Sequence, residues 1–371
     1  MILSKEFVVD PRVYREAKAL VDAGHYVTVL MWDRHSHYES ESIVDGVRII
    51  RIRNTSLMNV LPNDFLRNPL WWRKAYNVAM KLYKTSFSFD VVHCHDFDTL
   101  QTGIWLKEKL GCILIYDAHE IFGYLVKGNA PNLAVSYTFT KEKKLVKFVD
   151  HIITVNTPLE NYFKKITNKP ITIIMNCNNI MAKEYQKPKN KIFTICYMGI
   201  LDRVRMFPDL IDTIGKIDNV KFIIAGKKEN LMYDEVKTYS EKYPNVEFLG
   251  TIPSAEVLKK TLESNVVICM FDPTLQIHQV GLPNKIFEAM AAGRSILVTK
   301  DLYYSTEFVE KEHCGLSVSY NTEAVKDAII KLRDDSVLCE ELGKNGLKAA
   351  LKKYNWEAQK IKLLKIYEGF T

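Results

Sequence analysis

The sequence predicts an α/β protein made of two Rossmann-like layer stacks, on three observations. Short β-branched apolar runs alternate with helical patterns almost throughout, and continuous apolar strands between helices belong to a parallel sheet covered on both faces. The chain has 371 residues, beyond the usual limit for one core. A polar, lysine-rich stretch with a proline, MAKEYQKPKNK (181–191), separates two such halves and reads as a linker. The expected domains are 1–180, 181–355 and a closing helix 356–371 that crosses back to the first.

The first strand, MILS, is very short. DPRVYREAKALVDAG follows as a helix, with Asp10 as cap, Pro11 in the first turn and Gly24 at its end. HYVTVLMW, GVRIIRI, FDVVHCHD, CILIYDAH, HIITVN and ITIIMN are the remaining strands of the first half. KIFTICYMG, NVKFIIAG, NVEFLG, NVVICMF and RSILVT are those of the second. In such folds ligands bind at the carboxyl ends of the strands, and two facing edges make a cleft.

Apolar content of 47% with 26% charged residues is that of a soluble globular protein. No apolar run is long enough to span a membrane, and no signal peptide is apparent. Seven scattered cysteines without a CxxC pair point to a reducing cytoplasm rather than a disulfide frame or zinc site. A formal charge of +7 suits an anionic substrate or acidic membrane surface and does not by itself suggest nucleic acid.

Four strand ends of the second half carry candidate chemistry. YMGILDRVRMF supplies Gly199, for close backbone approach, and Arg203 and Arg205, which can grip phosphate. FIIAGKK supplies Gly226, and FLGTIPS supplies Gly250, whose backbone can read a base edge. VGLPNKIFEAMAAG opens a helix at Pro283, Asn284, Lys285 and Ile286, an anion-favouring N-terminus, with Glu288 one turn on. A solvated basic loop and an ordinary Lys285–Glu288 ion pair are the plainer readings.

In the first half, VVHCHDFD places His93, His95, Asp96 and Asp98 at one strand end, and YDAHEIFGY places Asp117, His119 and Glu120 at another. H-x-H on a strand points both imidazoles to one face, but a third ligand at motif spacing is missing, so no metal is expected. Arg12, fixed beside a helix start, is read as facing the cleft. Along 68–84, Arg73, Lys74, Lys81 and Lys84 gather on one helical arc and Trp72, Tyr76 and Tyr83 on another. The pattern fits either a core-packed helix or contact with an anionic membrane.

These motifs, with DPRVYREAKALVDAGHYVTVL and YNWEAQKIKLLKIYE, resemble the retaining glycosyltransferases of family 4, with the two-Rossmann GT-B fold, over essentially the whole chain. The resemblance implies a metal-independent hexosyltransferase without cofactor. Its substrates would be a UDP- or GDP-linked sugar donor and a glycan, lipid-linked or small-molecule acceptor. The enzyme would be cytoplasmic or peripheral at the cytoplasmic membrane face. Glu288 would hold the ribose, and His119 would stand near the reaction centre with Arg205 and Lys285. Gly199, Arg203, Gly226, Gly250, Pro283, Asn284 and Ile286 would line the donor. Arg12, His95, Asp96 and Glu120 would lie on the acceptor side. The chain departs from the two-glutamate signature, since Val280 stands at the first glutamate, which usually contacts the sugar. It carries instead the Pro-x-Lys-x-x-Glu of one branch, and sugar handling would fall to neighbours such as His278 and Gln279. A nucleotide-sugar epimerase and a non-catalytic sugar-nucleotide-binding subunit are the alternatives.

Overall fold

Val29, Leu30, Met31 and Trp32 are all buried, and the run that carries them is a strand covered on both faces. It belongs to a computed structural model that describes residues 1–5, 10–85, 88–127 and 130–370, apart from the side chain of Ser254. The chain divides into two compact units, Met1–Met175 with Lys360–Thr371, and Asn176–Gln359.

The first unit holds β1 (Ile2–Leu3), β2 (Thr28–Asp33), β3 (Glu41–Val44), β4 (Val47–Arg53), β5 (Val91–His95), β6 (Ile113–Ala118), β7 (His151–Thr154) and β8 (Ile171–Ile173). They form one sheet in the order β3-β4-β2-β1-β5-β6-β7-β8. All pairings are parallel except β3 with β4. Sequence reasoning missed β3: it is an edge hairpin whose alternate residues face solvent, so it lacks the continuous apolar run that marks its neighbours. The helix Pro11–Asp22 starts as the sequence predicts, with the Asp10 carboxylate accepting from the amides of Arg12 and Val13.

The second unit holds β9 (Phe193–Met198), β10 (Val220–Ala225), β11 (Val246–Phe248), β12 (Val266–Cys269), β13 (Ser295–Thr299) and β14 (Gly315–Val318), ordered β11-β10-β9-β12-β13-β14 and parallel throughout. Each unit is by itself a Rossmann-like stack, as the sequence predicts. The stretch 181–191 lies inside the second unit: the Met181 amide reaches Ala291 O (3.3 Å), and Arg294 donates to Gln186 O at 2.8 Å. Its lysines project to solvent while its backbone is held, which the polar composition does not reveal.

In the helix Asp64–Thr85 both tryptophans are core residues. Trp71 stacks on Trp32 with ring centroids 5.2 Å apart, and the Trp72 indole donates to Asp98 O. Of the two readings the sequence allows for this helix, its tryptophan-bearing face is the packing face. All seven cysteines are buried and none forms a disulfide. No helix among the described residues is long and apolar enough to cross a membrane.

Candidate functional site

In the second unit the carboxyl ends of β11, β10 and β9 are tied together. The Gly199 amide donates to Ala225 O (2.9 Å), and the Gly226 amide to Gly250 O (3.0 Å). Gly250 has φ +66°, and a side chain there would strike the Tyr233 hydroxyl. A β-carbon on Gly199 would meet the Lys285 ammonium, and one on Gly226 would meet Leu201 and the Gly199 carbonyl. These glycines are where they are because other groups occupy the space a side chain would need.

Lys285 itself comes from the helix Asn284–Ala292, which opens after Pro283 without a side-chain cap. Its ammonium lies 4.7 Å from the centre of the Tyr197 ring and directly over Gly199, so a cation stands at the end of β9. First-turn amides of an uncapped helix add positive potential there. Ile286 does not contribute as expected: its side chain is fully buried and its amide bonds Pro283 O at 3.0 Å. The Asn284 carboxamide oxygen accepts from Asn176 (2.9 Å). Glu288 follows Lys285 one turn on and is half-buried.

The two arginines separate. Arg203 is largely exposed and reaches Glu235 at 3.3 Å, as a solvated loop residue does. Arg205 is mostly buried, ion-paired with Asp202, and its guanidinium lies 4.7 Å from the centre of the Phe271 ring. Of the pair, Arg205 is the one held in place.

The first unit contains a charged network that the sequence outlined only at its edges. Its centre is Asp117 at the end of β6. Arg12 grips Asp117 with two bonds of 3.1 and 2.9 Å, donates to Ile174 O at 2.8 Å, and lies 3.1 Å from Glu16. His95 Nδ1 and His119 Nε2 stand 3.2 and 3.0 Å from the same Asp117 oxygen. Tyr367, from the C-terminal helix, meets His93 Nδ1 at 2.8 Å.

Arg12 and His95 are buried to 3% and 0% exposure, so neither faces an acceptor as expected. Arg12 is the counter-ion of Asp117, and His95 orients it. The Arg12–Glu16 spacing of four residues was the legible sign. Glu120 is exposed beside this network.

Asp96 has φ 62° and ψ 163°, a region costly for any residue but glycine. The surroundings hold it there. Its amide donates to Asp117 O at 2.9 Å, and its carboxylate accepts from the His119 amide and from Lys5, each at 3.3 Å. The distortion places a carboxylate 3.5 Å from His119 Nδ1. His119 therefore lies between two carboxylates and keeps 14% of its side chain exposed.

Burial opposes the His119 charge, but Asp96 and Asp117 outweigh it and push the imidazolium up to about 9. Burial likewise works against the Asp117 charge, and Arg12 and His119 hold its carboxyl well below the usual range. Glu16 is pushed by burial up to about 8 and so carries a proton at neutral pH. The donor atoms of Glu16, His93, His95 and Asp117 lie within 4.8 Å of one another, a set that suits a metal ion. Arg12 already pairs with Asp117 and lies 3.1 Å from Glu16, so an added dication would be repelled by its guanidinium.

A protonated His119 that loses its proton near pH 9 has a thermodynamic consequence. Its folded value lies above the unfolded one, so its stabilisation is complete below about 6.5 and fades as pH rises through 9. We expect Tm to fall between those values, and the fall to be smaller in His119→Gln. A pH series of melting curves checks this; equal slopes for both proteins would contradict a charged His119.

Residues 10–179 match the family described as Glycosyltransferase Family 4, and residues 192–335 match Glycosyl transferases group 1. An uncharacterized glycosyltransferase of Methanocaldococcus jannaschii is 23% identical over 329 residues, covering 83% of this chain and 80% of that protein. Among solved structures, sucrose-phosphate synthase from Thermosynechococcus elongatus superposes with TM-score 0.77 at 18% identity, covering 96% of this chain and 92% of that one. Anabaena HepE in complex with UDP-glucose gives TM-score 0.72 at 13% identity over 99% and 98%. At such identities these structures establish a shared fold.

Proposed function

Because the chain belongs to the family 4-type glycosyltransferases of GT-B fold, we propose that it moves a hexosyl group, with retention, from a nucleoside diphosphate sugar to a glycan or lipid-linked acceptor. The observation that carries this reading is the Lys285 ammonium seated over Gly199 at the end of β9, beside an uncapped helix start. In this reading Lys285, Arg205 and the amides of Asn284 and Lys285 take up charge on the leaving diphosphate, an electrostatic stabilisation of the transition state. Glu288 accepts from the ribose hydroxyls, and the backbone near Gly226 and Gly250 lies against the base. The leaving phosphate accepts the acceptor's proton as the glycosidic bond breaks, so no metal enters. In the first unit, charged His119, held by Asp96 and Asp117, is the residue this reading assigns to the reaction centre.

UDP-glucose is bound in Anabaena HepE, which favours a uridine nucleotide, with guanosine as the other candidate. A thermal-shift panel of UDP, GDP, ADP and their sugars tests the reading. A ligand at 100 times its Kd stabilises by about 2.7 kcal/mol; no shift with any of them would overturn donor binding.

We also place the enzyme in the cytoplasm at an anionic membrane surface, now through a different face. Leu57, Val60, Phe65, Leu66, Leu133 and Tyr137 are exposed, and Phe65 meets Tyr137 edge-to-face at 5.9 Å. Exposed Lys143 and Lys144 lie on the same helix as Tyr137, and that helix's one acid, Glu142, is buried under the hydroxyls of Tyr116 and Tyr162. Exposed apolar tips flanked by cations suit an acidic bilayer. The protein is expected to sediment with phosphatidylglycerol vesicles at low salt and Leu133→Asp to reduce this several-fold; sedimentation of neither would sink the placement.

A further inference from the structure

We propose that His278 is the residue that reads the transferred sugar, through a neutral acceptor nitrogen; the proposal rests on the donor site described above. After β12 the chain passes Phe271, turns, and forms the short helix Gln276–Val280. His278 Nδ1 lies 2.7 Å from the Asp272 carbonyl oxygen. A carbonyl only accepts, so Nδ1 carries the proton and Nε2 is left as a lone-pair acceptor. The ring is half-buried, and burial lowers its pKa, which keeps it neutral.

The location follows from Phe271. The His278 ring stands edge-on to it with centroids 4.8 Å apart, and the Arg205 guanidinium lies 4.7 Å from the same ring. One aromatic side chain thus holds both a phosphate-gripping cation and an acceptor nitrogen. A sugar bonded to the diphosphate presents hydroxyls within reach of that nitrogen, and a hydroxyl donates to Nε2 without adding negative charge beside the phosphates.

The neighbours are not available for this. Gln279 donates to Pro273 O (2.6 Å) and Asp301 O (2.8 Å), and its oxygen accepts from the Tyr303 amide at 3.0 Å. The amide is committed to shaping the loop. Val280 offers no polar side-chain atom. His278 takes the hydrogen-bonding role for which the sequence otherwise has no carboxylate.

Two isosteres separate the ring nitrogens. His278→Asn keeps a donor for Asp272 O and removes Nε2; His278→Gln keeps an acceptor near the Nε2 position. Calorimetric titration with UDP-glucose and UDP, and with GDP-mannose and GDP, reads the sugar contribution as the ratio of the two affinities. For whichever pair binds, His278→Asn should lower the ratio about tenfold and leave the nucleoside diphosphate affinity within about twofold. His278→Gln should retain most of the ratio, and His278→Asn/Val280→Glu should recover it through a carboxylate. An unchanged ratio in His278→Asn overturns the proposal, as does a parallel loss for sugar and diphosphate. Wild-type protein that binds neither diphosphate overturns the donor site itself, and is seen before any variant is made.

Discussion

Lys285→Ala is expected to lower sugar transfer by two to three orders of magnitude with Tm within a degree or two of wild type. Its ammonium is half-buried over the end of β9, and loss of one preorganised donor to developing charge costs about 10²–10³ in rate. Little stability depends on it, because its ammonium packs on the Tyr197 ring and an ion pair at its spacing to Glu288 is worth only a few tenths of a kcal/mol on a helix. Glu288→Ala should weaken nucleoside binding in parallel. Gly199→Ala offers an independent check: the new methyl group takes the ammonium's place, so the lysine is present but displaced. It should lose activity to a similar degree with little change in melting. Donor turnover at wild-type rates in Lys285→Ala would remove the lysine from the mechanism.

The second large effect is on folding. Asp117→Leu leaves the Arg12 guanidinium buried at 3% exposure with its main partner gone, and breaking one side of a buried pair costs roughly 3–5 kcal/mol. Urea denaturation should show a fall of that size. Asp117→Leu with Arg12→Met should recover a large part of it, since an apolar pair of similar volume is often no worse than the ions. Equal stability of the single variant and wild type would mean that Asp117 does not anchor the unit. The single variant also frees His119, which then loses one of the two carboxylates that keep it charged.

The two sheets were legible because buried parallel strands are apolar throughout, and β2, β6, β9 and β10 show that pattern plainly. The edge strand β3 and the late strand β14, with its half-buried residues, lack it and were missed. The strand-end turns of the second unit were legible for a related reason: a glycine at a strand end and a Pro-Asn helix start are local signals. What sequence could not give was direction. Arg203 and Arg205 are two residues apart in a tight turn, and only the turn decides that one reaches Glu235 and the other Phe271. The Asp117 network was hidden for a stronger reason. Its members come from residues 12, 16, 93, 95, 117 and 367, and no spacing rule joins a first helix to a last one. Asp96 was picked out by type, but its left-handed backbone, which sets its carboxylate against His119, leaves no trace in composition.

The bond between His93 and Tyr367 joins residues 274 positions apart, and residues 360–371 belong to the first unit. The second unit is therefore inserted within the first. During synthesis the eight-stranded sheet emerges early, yet its last helix arrives only after the whole of the inserted unit has left the ribosome. Until then the imidazole of His93 lacks its hydroxyl partner at a site that becomes fully buried. The inserted unit, whose strands and helices are contiguous in the chain, has no such wait. Its folding brings its own two ends together, the Trp356 amide donating to Asn178 O at 3.1 Å, so the loop left to close for the final segment is effectively short.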